Sequence, residues 1–161
     1  MSSKPTSNEL TPKIPSGDFA VEMKLEVIVL PVSDVDRARR FYEGLGWRLD
    51  ADFGNGDNFR GVQMTPPGSQ CSIQFGKGVT TAAPGSVQGV WLIVADIEAA
   101  RAELKGHGVD VTEPFHFDNA RRMVPGLDPE RRSYSSFASF SDPDGNRWTL
   151  QEISKRLRER V

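Results

Sequence analysis

Side chains able to do chemistry are few in this chain, which has two histidines and one cysteine. His116 stands in Pro114-Phe115-His116-Phe117, where an imidazole among aromatics suits general acid/base work near neutral pH. The stretch from Phe117 to Tyr134 follows, with Arg121, Arg122, Arg131 and Arg132 set against Asp118, Asp128 and Glu130. The guanidinium of Arg121 or Arg131 could bind a carboxylate or phosphate, or stabilise an oxyanion formed beside His116. Arg60 is a second candidate for anion contact. Long loops inside compact domains are often lids or binding segments. The plainer readings stay open: a satisfied structural histidine, and a solvated loop that pairs with itself. His107, between Gly106 and Gly108, reads as an exposed turn residue. Cys71 lies in an apolar run without a basic neighbour in sequence and reads as a small buried residue.

The elements that must position these side chains come from a repeat. Val32-Ser33-Asp34-Val35-Asp36-Arg37-Ala38-Arg39 returns about 62 residues on as Val94-Ala95-Asp96-Ile97-Glu98-Ala99-Ala100-Arg101. The match continues ungapped, with Gly44 on Gly106, Gly46 on Gly108 and Leu49 on Val111. The β-branched run Leu25 to Leu30, limited by Pro31, predicts a strand. Ser33 is expected to N-cap a helix whose buried face is Val35, Ala38, Phe41, Tyr42 and Leu45. Strands are expected near Trp47–Phe53, Phe59–Thr65 and Gln70–Phe75, with Gly- and Pro-rich turns between them. In the second half, Val90–Val94 predicts a strand and Asp96 a helix cap. Further strands are expected at Val109–Thr112, Ser135–Phe140 and Arg147–Ile153. The last two are joined by the tight turn Asp142-Pro143-Asp144-Gly145-Asn146. The order is βαβββ twice, interrupted in its second half by the polar loop 117–134, which has no counterpart in the first.

Length and charge bound the function. The chain's 161 residues make one domain of two small modules. Module one is expected at 24–76, a linker at 77–87 and module two at 88–153, within a single domain over 23–154. Residues 1–22 read as a disordered leader without the apolar centre of a signal peptide, and 155–161 as a basic tail. Twenty Lys plus Arg against 22 Asp plus Glu, with a pI near 5.7, give no electrostatic footprint for nucleic acid or an anionic membrane. No apolar run is long enough to cross a bilayer. A single cysteine forms no internal disulfide, so a reducing cytoplasm is expected.

Three segments carry a resemblance. Leu30-Pro31-Val32-Ser33-Asp34 running to Phe41-Tyr42-Glu43, Val94-Ala95-Asp96 with its helix, and Asp142-Pro143-Asp144-Gly145-Asn146 resemble the vicinal oxygen chelate superfamily, also called the glyoxalase/bleomycin-resistance fold. The resemblance implies an α+β fold of two βαβββ modules forming paired half-cup sheets. It also implies a small-molecule site in the cups, commonly closed by a partner subunit, so a homodimer is expected. Enzymes of that family usually hold one divalent metal through His and Glu on the first and last strands of each module. Carried onto this sequence, those positions are Val27, Gln74, Gly89 and Thr149, none of which is a ligand for a catalytic cation. No metal and no other cofactor is therefore expected.

Strand alternation places Val27, Val29, Ser72, Gln74, Trp91, Thr149 and Gln151 on the face those ligands would occupy. His116 is expected at the rim of that cup and Arg121 at its mouth, and Tyr134, at the end of the loop, is a further candidate for ligand contact. Such an apolar and aromatic surface with a few neutral polar groups suits a small-molecule pocket; a cup filled by Trp91 and Val29 is the alternative. The leading expectation is a metal-independent small-molecule-binding protein. One alternative is a lyase or isomerase acting on a small carbonyl substrate through His116 without the usual metal. The other is a scaffold for protein interaction.

Overall fold

The computed structural model describes residues 21–156. The expected leader lies outside the described residues over 1–20, and the basic tail from 157 on. Module one contains β1 (Val27–Val29), α1 (Val35–Gly44), β2 (Arg48–Asn55), β3 (Phe59–Thr65) and β4 (Ser72–Lys77). Module two contains β5 (Val90–Val94), α2 (Ile97–Gly106), β6 (Phe115–Phe117), β7 (Met123–Pro125), β8 (Phe137–Ser141) and β9 (Arg147–Glu152). The first sheet runs β1-β4-β3-β2 and the second β5-β9-β8-β6-β7. In both, the first strand pairs in parallel with the last, Val29 opposite Gln74 and Trp91 opposite Thr149.

Three expectations are corrected. Asp34, not Ser33, caps α1, its side chain accepting from the Arg37 amide. Ser33 turns away because Asp144 Oδ1 accepts from both its amide and its hydroxyl. No strand forms at Val109–Thr112: Thr112 is tied to Ser139 by its amide (2.9 Å) and its hydroxyl (2.9 Å), but the strand beside β8 is β6. The stretch 117–134 is not all loop, since it contains β7, which pairs with β6 and adds a strand without a counterpart in module one. Module two is thus βαββββ. The other strands match their expected places to within about two residues at most ends.

The two modules share one core on the helix-facing side of their sheets. Burying Leu30, Val62, Met64, Ile73, Phe75, Phe140, Trp148 and Leu150 there is the main apolar driving force of the fold. At its centre Tyr42 of α1, fully buried, donates to Asp142 Oδ2 (2.9 Å) and accepts from Trp148 Nε1 (3.0 Å). Burial, together with the carboxylate of Asp142, pushes the Tyr42 phenol above its ordinary range, so it remains a donor. Trp47 meets Trp148 edge-on at 5.1 Å.

The Asp142–Asn146 turn is a latch between modules. Asn146 donates to the Pro31 carbonyl (2.9 Å) and Asp142 Oδ2 (2.8 Å), while Arg37 reaches Asp144 Oδ1 at 3.2 Å. The chain entering module two passes so close that a Cβ on Gly85 would lie 2.0 Å from the Asp144 carbonyl oxygen. Its φ of +79° is a second reason for glycine there.

Candidate open-face binding site

Register and burial separate the two faces of each sheet. Trp148, Leu150 and Glu152 alternate inward on β9, which leaves Thr149 and Gln151 on the helix-free face with their partners Trp91 and Ile93. On the first sheet the same rule leaves Val27, Val29, Ser72 and Gln74 on that face, joined by Gly61, Gln63 and Thr65 of β3. The expected alternation therefore stands, and Trp91 does not fill a core: it is 53% exposed.

Side chains on these open, helix-free faces of the two sheets fall into three groups. Around Trp91, Phe137 packs edge-on at 5.7 Å, Phe115 stacks on Phe137 at 5.7 Å, and Phe117 meets Phe137 at 5.5 Å. On the first sheet Phe53 and Phe59 are 5.7 Å apart, and Phe53 lies over Gly61, where a Cβ would come within 2.8 Å of its ring. A polar group closes one end. Asp50, at the bulge of β2, accepts from Thr65, and Thr65 meets Ser72 at 2.7 Å. The hydrogen bond from Thr65 and the nearby Arg48 guanidinium hold the Asp50 carboxyl below the usual carboxylate range.

Of the ten large hydrophobic side chains exposed among the described residues, six lie on the helix-free faces by strand register: Val29 and Phe53 on the first sheet, and Trp91, Ile93, Phe117 and Met123 on the second. An apolar concentration of this sort marks a surface that something covers.

The structure does not bring the charged candidates to it. Arg60 points to the helix side, gripping Asp52 with two nitrogens (3.0 and 2.8 Å) and Asp36 with the third (2.8 Å). These contacts with Arg60 and Arg39 hold Asp52 down to about 2. Arg131 is spent on Glu152 (3.0 and 2.9 Å), and Arg132 on buried Asp128. Arg121 is exposed, in the left-handed region at φ 62°. His116 alternates to the face opposite Phe115 and Phe117, and its Nδ1 lies 2.8 Å from the Gly126 carbonyl oxygen. Tyr134, half-buried, uses its carbonyl to accept from Gln151 Nε2 at 3.1 Å.

Phe53, Phe59, Gln63, Phe115, Phe117, Phe137 and Arg147 share the face but were not among the sequence candidates. The signal was present for several: Phe115 and Phe117 alternate around His116, and Gly61, Gln63 and Thr65 form the less apolar phase of β3. Arg147 is exposed and reaches Ser139 Oγ at 3.3 Å.

The metal positions implied by the resemblance hold no suitable donor set. Val27, Gln74 and Thr149 stand on the open face and Gly89 just ahead of β5, and together they offer one amide and one hydroxyl. Among the described residues no three His, Cys, Asp or Glu side chains gather as a metal ion requires. A divalent cation does not fit this site.

Comparison with known proteins decides the family. The model of the Glyoxalase/Bleomycin resistance protein/Dioxygenase superfamily matches residues 24–150. The chain belongs to that superfamily. Among solved structures it is similar to TnmS3, an antibiotic binding protein from Streptomyces sp. CB03234. The identity is 32%, the match covers 84% of this chain and 99% of that one, and the TM-score is 0.65. A glyoxalase/bleomycin resistance protein from the same organism is 32% identical over 80% of this chain and all of its own (100%), with a TM-score of 0.60. A superfamily member from Sphaerobacter thermophilus DSM 20745 is 29% identical over 81% and 98% of the two chains, with a TM-score of 0.62. No curated protein matches the chain. Among the described residues no helix is long and apolar enough to cross a membrane.

Proposed function

We propose that this superfamily member is a metal-independent binding protein for a small, largely apolar or aromatic molecule, held against the open face and closed in by a second copy of the chain. The observation that carries the reading is the exposure of Trp91, Ile93, Phe117 and Met123 on the helix-free face of the second sheet, with Phe53 and Val29 exposed on that of the first. Val27, Gln74, Thr149 and Gln151 supply few and neutral polar contacts beside that apolar area, the make-up of a site that orients a ligand without ionising it. The likeness to an antibiotic binding protein supports the same class of ligand. A face this apolar is poorly matched to water, which supports a homodimer in which each copy covers the other's site. The lone, half-buried Cys71 agrees with a reducing cytoplasm as the place of action.

Native mass spectrometry of the full chain with a panel of aromatic antibiotics tests both parts. The expected result is a dimer that retains one member of the panel without a stoichiometric metal. A monomer that holds none of them, or a protein that binds only with an added transition metal, ends the reading.

A further inference from the structure

The repeat exposes an unequal filling of the helix-facing core. On α1, Phe41, Tyr42 and Leu45, with Trp47 just past its end, close the space above the sheet. Moved along the repeat by about 62 residues, the same four positions become Glu103, Leu104, His107 and Val109 on and after α2. Three aromatic rings are lost and two polar side chains gained. The consequence is a cleft of about 270 Å³ between α2 and the inward face of the second sheet. Leu104, Leu92, Leu150 and Trp47 line it, and Glu103 and His107, both exposed, stand at its mouth.

We propose that this cleft is a second binding site, on the opposite side of the sheet from the open face, for a small apolar molecule bearing a cation. The cavity is below the usual size for a drug-like ligand and suits one ring with a short chain. Charge complementarity selects the cation. Among the described residues, the Glu103 carboxylate has no ion pair and no side-chain hydrogen bond. On and near the same helix, Glu98 pairs with Arg131, and Glu113 with Arg101 and Lys105. An ammonium group at the mouth would give Glu103 a charge-assisted hydrogen bond while the ring replaces water against leucines.

An amide NMR titration of the full chain with phenethylamine, phenethyl alcohol and hydrocinnamate tests the assignment. Phenethylamine should shift Leu92, Leu104 and His107 saturably, leave Trp91 unmoved, and bind more tightly than the alcohol, with the carboxylate weakest. Glu103→Gln should weaken the amine about tenfold, to the level of the alcohol. Leu104→Phe or Ala100→Leu, whichever melts as the parent does, should block all three by filling the space. Shifts confined to the open face, equal affinity for amine and carboxylate, or undiminished binding to the filled variant each overturns the proposal.

Discussion

Trp91 and His116 were both candidates for ligand contact, and their surroundings separate them. The Trp91 ring is half-exposed, with Phe137 fixing one edge, so it offers a rigid apolar surface at little cost in side-chain entropy. Trp91→Ala is expected to weaken ligand binding about tenfold or more, with little loss of stability because half the ring already faces water. His116→Ala should leave binding unchanged, since the imidazole faces away from that surface and engages Gly126. Isothermal titration with a retained ligand, beside thermal melts of both variants, checks the pair. Tyr42 shows the opposite balance. Tyr42→Phe removes the donor to Asp142 and the acceptor for buried Trp148 Nε1, leaving the ring itself in place. The unmet groups should cost about 1–3 kcal/mol in urea unfolding, with the open face unaffected.

Elements with a long periodic signature were legible in the sequence, and short ones were not. Both ten-residue helices and strands β3, β5 and β9 follow from spacing, because a whole buried face repeats within each. β6 and β7 are three residues each, too short for any period, and they exist because each is the other's hydrogen-bond partner. The helix cap was misread for a related reason. Ser33 and Asp34 are both capping types, and the choice is made by Asp144, which lies 111 positions beyond Ser33 and claims it. Asp34→Ala is therefore expected to cost about 1 kcal/mol through α1 itself. Ser33→Ala should cost less when Asp144 is absent than when it is present, a coupling that a double-mutant cycle measures. The segment after β7 has a pH signature. Hydrogen bonds from Arg132 hold the Asp128 carboxyl down to about 2, below its unfolded value of 3.8. A carboxyl depressed by folding stabilises above its unfolded value and loses that contribution as pH falls toward its folded one. Arg132→Met should thus be less stable than the parent at neutral pH, and the gap should close between about pH 4 and pH 2. Urea unfolding across that range reads it; a gap that persists at the acid end contradicts the pairing.

At the scale of the whole molecule the repeat announced two modules, but not how they are joined. The residues that join them are ordinary helix and strand residues in their own modules, and only the fold brings them together. Phe41, Tyr42 and Trp47 come from module one and Phe140 and Trp148 from module two, with ring centroids 5.1 to 6.5 Å apart across the boundary. Helix α1 does not bury its apolar stripe on its own sheet alone, since it spends Tyr42 on Trp148 and Asp142 of the other module. Such an interface is a core divided between modules, and it couples their unfolding. The full chain is expected to unfold in a single transition, with far-UV circular dichroism and tryptophan fluorescence coinciding. Trp148→Ala removes a ring that is 2% exposed and contacts both modules, and it should cost about 3–5 kcal/mol. It should also shift both probes together. If the secondary structure of one module instead survives while the tryptophan signal is lost, the modules hold separate cores, and the latch at Asp142–Asn146 alone links them.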